Sequence, residues 1–438
     1  METINLTKKP KNEIYEMKRI FMETYDQTKA ADLATFVSHP YAETKDIDPV
    51  SKIYQTFQAT QSSPAVAVFY FFAIMSHWNL LKGTTYKLPK DYRTHHPNLW
   101  LMTLAQSGAS KSQQLALLDG LLPDEELRSS FRQPASPASL IAQFADKPIH
   151  LWVEDEAAKY LKQIETPTHP LAPIKGHLLK IKGGDSLTYH SKKDGETVIE
   201  NPRMSIYLVN TILGMMNTIS EESMYDGFLS RIGLVLSETP EQMQLDIDAN
   251  FPDRFHDLSG IEESGLREDL EALFEQDIEG KQYELDEGAR KTFESAARRM
   301  DRTFAWMAKG QDNIYKPFYD RTLMEANKYA IFHHQMMKKE STTIDAFDIE
   351  YGMLVARYHL CSFARYLQLR DSRRERKVIE VAKRVEAKEE GLNKRVKTYV
   401  EANPQAKLRE IYKKFNITKA KALEVLEEIG YGKAFKWY

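Results

Sequence analysis

Leu99-Trp100-Leu101-Met102-Thr103-Leu104, running into Ala105-Gln106-Ser107-Gly108-Ala109-Ser110-Lys111-Ser112, is the stretch from which the fold can be read. The first six residues have the apolar character of a buried strand, and Gln113-Gln114-Leu115-Ala116-Leu117-Leu118 reads as the first turns of a helix. Strand, small-residue loop, Lys-Ser and helix is the layout of a phosphate-binding loop. Backbone N–H groups must wrap an anionic phosphate closely, so the loop side chains must be small, and the helix N-terminus adds its positive dipole end. On this reading Ser107, Gly108, Ala109 and Ser110 supply the cradle, Lys111 reaches the terminal phosphates of ATP and Ser112 holds Mg²⁺. Ala105 and Ser110 stand where the usual pattern has glycine. At Ser110 a Cβ sits where backbone must approach phosphate. Taken alone, the eight residues suit equally a Ser/Ala-rich turn between a strand and a helix.

The second signal lies about 40 residues downstream, where Ile149-His150-Leu151-Trp152-Val153 is an apolar strand ending in Glu154-Asp155-Glu156. Carboxylates at the C-terminal end of a buried strand are where α/β folds place catalytic groups. Asp155 is assigned to the metal and Glu156 to the attacking water, with Glu154 as a substitute one position out of frame. The alternative is an acidic helix start. A third strand, Met204 to Val209, ends in Asn210-Thr211, where Asn210 can sense the terminal phosphate, position water or cap the strand. A fourth strand, Gly233-Leu234-Val235-Leu236, follows Arg231, which can complete a neighbouring subunit's site or pair with Asp226 or Asp155. Between the second and third strands, Leu187, Tyr189 and Thr197-Val198-Ile199 read as a hairpin with a basic tip, Ser191-Lys192-Lys193. Such a tip can grip nucleic-acid phosphates or be a solvated turn.

Composition sets outer limits. At 438 residues the chain suffices for two or three domains, and 42% hydrophobic and 28% charged residues are ordinary for a globular protein. The one cysteine, Cys361, excludes an internal disulfide and a multi-cysteine metal site, and fits a reducing compartment. Residues 1–11 lack the apolar core of a signal peptide, and the longest apolar run, residues 64–75, is too short to span a bilayer. A cytoplasmic protein without a membrane partner is expected. The pairs His95-His96 and His333-His334 invite a metal reading. The first lies in a loop without an acidic cluster, and the second on a helix, where neighbours diverge by about 100°.

From residue 371 to the C-terminus there are 18 Lys and Arg against 11 Asp and Glu, net +7, leaving −10 for the rest. A helix closed by Asn403-Pro404, a second over residues 407–415, a third capped by Thr418, and Lys433 to Tyr438 as a short hairpin make a winged-helix layout. Lys419 and Lys421 open the third helix, and Lys413 and Lys414 lie near the backbone of bound DNA. A protein–protein module is the alternative.

The order of these signals resembles a family of P-loop proteins of phages, plasmids and phage satellites, replication helicases or initiators often encoded near primases. It comprises the buried helix Ala65 to Met75, Pro97-Asn98-Leu99-Trp100, the Lys-Ser loop, Asp155-Glu156-Ala157, Asn201-Pro202-Arg203-Met204-Ser205 and Asp226-Gly227-Phe228-Leu229-Ser230-Arg231. The resemblance covers about residues 50–370. It implies an α/β fold with a RecA/AAA+-like P-loop nucleotide domain over residues 51–240. An N-terminal segment (1–50) precedes it, and a helical lid or bundle (241–370) and the basic linker helix with its winged helix (371–438) follow. It further implies ATP and Mg²⁺ as cofactors, Lys111, Ser112, Asp155 and Glu156 in one subunit's site and Arg231 from the next. The expected protein is a ring-forming, ATP-dependent helicase or initiator acting on single-stranded or origin DNA, with a primase as further partner. The alternatives are a non-motor DNA-binding initiator with a degenerate nucleotide site, favoured by Ser110, and a transposition-type ATPase regulator.

Overall fold

The computed structural model describes residues 48–58, 63–88, 91–106, 111–191, 195–218, 228–237, 264–308 and 312–431. Two helices lead, α1 (Pro49–Gln58) and α2 (Ala65–Leu81), followed by short strands β1 (Thr85–Lys87) and β2 (Thr94–His95) and then β3 (Trp100–Ala105). Helix α3 (Lys111–Leu121) begins at the Lys-Ser pair. Helix α4 (Pro137–Asp146) starts at a capping box, in which Ser139 N donates to Ser136 Oγ (3.1 Å) and Ser136 N to Ser139 Oγ (3.0 Å). Next come β4 (Ile149–Asp155), α5 (Ala158–Glu165), α6 (Ala172–Gly183), the hairpin β5 (Leu187–Ser191) and β6 (Gly195–Ile199), β7 (Arg203–Thr211), α7 (Ile212–Thr218) and β8 (Gly233–Ser237). The remainder is α8 (Leu266–Phe274), β9 (Gln282–Leu285), α9 (Glu287–Ala308), α10 (Asp312–Met336), β10 (Thr343–Ile344), α11 (Ala346–Ala402), α12 (Leu408–Lys414) and α13 (Lys419–Glu428).

Apolar strands separated by helices can bury both faces only in a covered parallel sheet. The central sheet has the order β4-β7-β3-β8 with every pair parallel, so the fold is α/β. Its register sets Leu104 opposite Asn210, Asp155 opposite Val209 and Ala105 opposite Ser237, which brings the C-terminal ends of the strands to one edge. Alternation along each strand sends residues to opposite faces. Leu101, Leu151, Tyr207 and Val209 join α2 in one hydrophobic cluster. On the other face Lys182 of α6 sits over the Trp100 ring and Tyr160 of α5 meets Trp152 edge-on.

Helix α2 is apolar all round because both its sides are covered: every residue from Ala65 to Leu80 is buried. Tyr207 Oη donates to Val66 O (2.7 Å) on the sheet side, while Phe72 meets Tyr329 of α10, and Phe69 meets Tyr358 of α11, on the other. Both outer strands carry hydrogen bonds along their free edges. Leu151 O of β4 accepts from Ser130 N (3.0 Å) and Phe131 N (3.1 Å). On β8, Leu234 O accepts from His359 Nδ1 (2.9 Å) and Leu236 O from Tyr358 Oη (3.1 Å). Adjacent residues of α11 thus satisfy alternate carbonyls of one strand, which blunts that edge.

Residues 85–87, 94–95, 282–285 and 343–344 form a second sheet of order β10-β9-β1-β2, with no counterpart among the strands expected from the sequence. Its strands run two to four residues, too short for alternation to register. Residues 346–402 form one continuous helix, which runs through Gly391 at a cost of about 1 kcal/mol.

The chain divides into two compact units, Met1–Tyr366 and Leu367–Tyr438. The second has its own small core of Val396, Val400, Leu408, Ile411, Ala422, Val425 and Leu426. Thr418 caps α13 by accepting from Lys421 N (3.2 Å), as its position predicts. The expected wing strands lie outside the described residues. Among the described residues no helix is long and apolar enough to cross a membrane.

Candidate nucleotide site

Helix α3 opens at the C-terminal edge of the sheet and is held there by side chains. Gln114, buried in its first turn, accepts from Ala67 N (3.0 Å) and donates to Ser63 O (3.2 Å), tying α3 to the start of α2. Tyr70 Oη donates to Asp119 in the next turns, and Arg267 Nη2 donates to Gly120 O (3.0 Å). The first N–H groups of a helix have no intrahelical partner, and Lys111 stands at this anchored terminus. Ser107, Gly108, Ala109 and Ser110 lie outside the described residues.

Strand β4 supplies the facing group. Ser112 Oγ donates to Asp155 Oδ2 at 2.5 Å, across the width of the intervening strand β7. Alternation decides which carboxylate this is. Asp155 shares the α2 face with Leu151 and Val153, whereas Glu154 shares the opposite face with Trp152 and accepts from its Nε1 (3.2 Å). Asp155 Oδ1 accepts from Glu156 N (2.9 Å). Glu156 itself has φ of 58°, a left-handed conformation that costs a non-glycine residue about 1–3 kcal/mol and turns the chain sharply out of the strand.

The turn is fixed from below. Ala157 N donates to Val209 O (3.3 Å) and Ala158 N to Asn210 Oδ1 (2.8 Å), so Asn210 caps α5. Its Nδ2 is buried and has no hydrogen-bond partner among the described residues. The capping alternative is therefore what the structure shows: the Asn210 oxygen is structural and caps the helix that follows β4. Thr211 Oγ1 accepts from Gly214 N (3.0 Å), a contact so close that a Cβ at Gly214 would lie 2.7 Å from that oxygen.

The structure thus brings Lys111, Ser112, Asp155, Glu156 and Asn210 to one edge. Arg231 is not among them. It lies two residues before Gly233, which is level with Leu101 near the other end of β3. Four residues of strand separate those levels, about 13 Å, so Arg231 cannot reach its own chain's candidate site. The β5–β6 hairpin is present, but Lys192 and Lys193 lie outside the described residues.

In the second unit, Lys413 and Lys419 are exposed, Lys414 Nζ sits 4.3 Å from the Tyr399 ring centroid, and Lys421 pairs with Glu424 (3.0 Å). The exposed positions along α13 continue as Glu424, Glu427 and Glu428.

The histidine pairs have structural roles. His95 Nε2 meets Asp91 (2.9 Å). His333 and His334 converge despite their helical divergence, each setting Nδ1 on one oxygen of Asp348 (2.6 and 2.8 Å). Burial would raise that carboxyl, but hydrogen bonds from both histidines and from Lys339 outweigh it and hold it below the usual carboxylate range. No group of three His, Cys, Asp or Glu among the described residues is arranged to hold a metal ion. Sequence reasoning missed Gln114; a polar residue after Gln113 carries no periodic signal that marks it as buried. No protein-family model matches this sequence, and no curated protein matches it significantly.

Proposed function

We propose that the first unit is a P-loop ATPase core of the RecA/AAA+ kind, and that the chain is a ring-forming DNA helicase, translocase or replication initiator. The observation that carries the reading is the Ser112–Asp155 contact. It joins the start of the Lys-Ser helix to the end of the acidic strand across β7, pairing the hydroxyl and carboxylate that Mg²⁺–nucleotide sites use. Hard oxygen donors of this kind suit Mg²⁺, which keeps several waters and takes few protein ligands. Bound there, Mg²⁺ would neutralise charge on the phosphates of ATP. Lys111 would bind the terminal phosphates as a point charge, and Glu156, on its sharp turn, would accept a proton from the attacking water. Asn210 Nδ2 would donate to that water or to the terminal phosphate. Arg231, out of reach of its own site, would serve a neighbour's.

For the second unit, the +7 balance of residues 371–438 supports DNA as partner. The acidic exposed stripe of α13 favours phosphate-backbone contacts through Lys413 and Lys419 over insertion of that helix into a groove, and equally suits a protein partner.

The test is steady-state ATP turnover by the full chain with and without single-stranded DNA. Turnover stimulated by DNA and reduced at least about 100-fold by Glu156→Gln is expected. Absence of turnover in the wild type would leave the non-motor initiator reading instead.

A further inference from the structure

The end of β8 carries a buried hydroxyl that the chemistry proposed above does not use. Ser237 is 2% exposed, and its Oγ has no hydrogen-bond partner among the described residues. An unpaired buried donor costs stability, and alanine would fill almost the same space without it. The carbonyl next to it in the chain, Leu236 O, already accepts from Tyr358 Oη (3.1 Å). Ser237 and Thr211 both stand level with Ala105, the last residue of β3, one on each side of it. The Thr211 hydroxyl is engaged, since its Oγ1 accepts from Gly214 N (3.0 Å). Two hydroxyls thus flank the point where the chain leaves β3 for the Lys-Ser helix, and that of Ser237 is the unmet one.

Register and alternation give its place relative to the metal-side groups. Val235, two residues earlier on β8, belongs to the α2 cluster together with Leu115 and Leu118 of α3, so Ser237 shares the face on which α3 packs. Asp155 lies on the same face, level with Val209, Thr103 and Val235 in turn. Three strand intervals separate β4 from β8, so Ser237 stands about 14 Å from Asp155 across the sheet and two residues further along. That is too far to share a metal ion or a terminal phosphate with Ser112 and Asp155. The metal pair lies to the β4 side of β3, so a nucleotide with its terminal phosphates there extends over β3 toward β8.

We propose that Ser237 is a nucleotide-binding residue whose hydroxyl donates to the nucleoside half of ATP, the end away from Mg²⁺. This rests on the ATPase reading above. Sugar oxygens and ring nitrogens supply the acceptor that the hydroxyl lacks. Strand β8 fixes the donor in advance: His359 and Tyr358 hold Leu234 O and Leu236 O, and Val235 is fully buried. Little ordering is then left to be done on binding.

Equilibrium binding and thermal melting of the full chain test this, with Ser237→Ala beside wild type. Loss of one neutral hydrogen bond should weaken ATP and ADP alike by about three- to tenfold, since both carry the same nucleoside. The gain in ATP affinity on adding Mg²⁺ should stay as in wild type, because the metal pair is untouched. Without nucleotide the melting temperature should hold or rise, because the substitution removes an unpaired buried group. Wild-type affinity in Ser237→Ala, or weaker binding accompanied by a lower melting temperature or a lost Mg²⁺ gain, would overturn the assignment and leave the ATPase reading standing. A wild-type chain that binds ATP no better than Lys111→Ala would overturn that reading, and this assignment with it.

Discussion

His359 shows how closely single residues of the core are fitted to one protonation state. Its Nδ1 donates to Leu234 O and its Nε2 accepts from Tyr329 Oη (2.7 Å), so the neutral ring uses both nitrogens. Burial pushes its pKa down to about 4, and burial likewise holds His77 and His96 at about 4. The unfolded chain therefore takes up protons first as the pH falls below about 6.5, and the native state loses stability progressively from there to about pH 4. Thermal unfolding between pH 7.5 and 5 should show a falling melting temperature, with a shallower slope in His359→Gln; a flat profile in the wild type would contradict this assignment. The residues gathered at the candidate edge, Ser112 and Asp155, were partly legible beforehand. Lys111, Ser112 and the acidic triplet stand out in sequence because they follow apolar strands. The choice between Glu154 and Asp155 was not legible until the pairing of β4 with β7 fixed which side chain faces α3. Gln114 carries no local pattern, since its role depends on Ala67 and Ser63, far away in sequence.

At the scale of elements, α2 organises the molecule, lying between the parallel sheet and the α10–α11 layer. That layer is drawn tight by Gly352 in α11. A Cβ there would lie 2.1 Å from Ala326 O and 3.1 Å from Ala330 N of α10, a clash with backbone that no side-chain rotation relieves. Gly352→Ala should destabilise the first unit by about 1–3 kcal/mol or more, although alanine is the better helix former. Denaturant titration would check this, and an unchanged or raised midpoint would show that the helices do not cross so closely. The long helices and the strands of the central sheet were readable because each is long enough for apolar periodicity to show. The second sheet was not, because its short strands take their stability from tertiary contacts, as when Thr85 N donates to Lys281 O. The continuity of α11 also escaped local reading, because exposed charged stretches in a helix look the same as linkers.

Each of the two units carries its own chemistry. The first unit gathers oxygen donors and Lys111 at one edge of its sheet and Arg231 near the other, while the second unit carries a small core and a basic balance. The ring proposed above would need head-to-tail contacts between unlike edges of successive copies. Everything in that picture depends on whether the Lys111–Ser112–Asp155 edge holds a nucleotide. The most direct measurement is the equilibrium affinity of the full chain for ATP, with and without Mg²⁺, in wild type and Lys111→Ala. The account predicts Mg²⁺-dependent binding in the wild type that Lys111→Ala weakens by at least about 100-fold, the loss of a charge-assisted phosphate contact of about 3 kcal/mol. Equal affinity in the two proteins, or no binding by either, would contradict it.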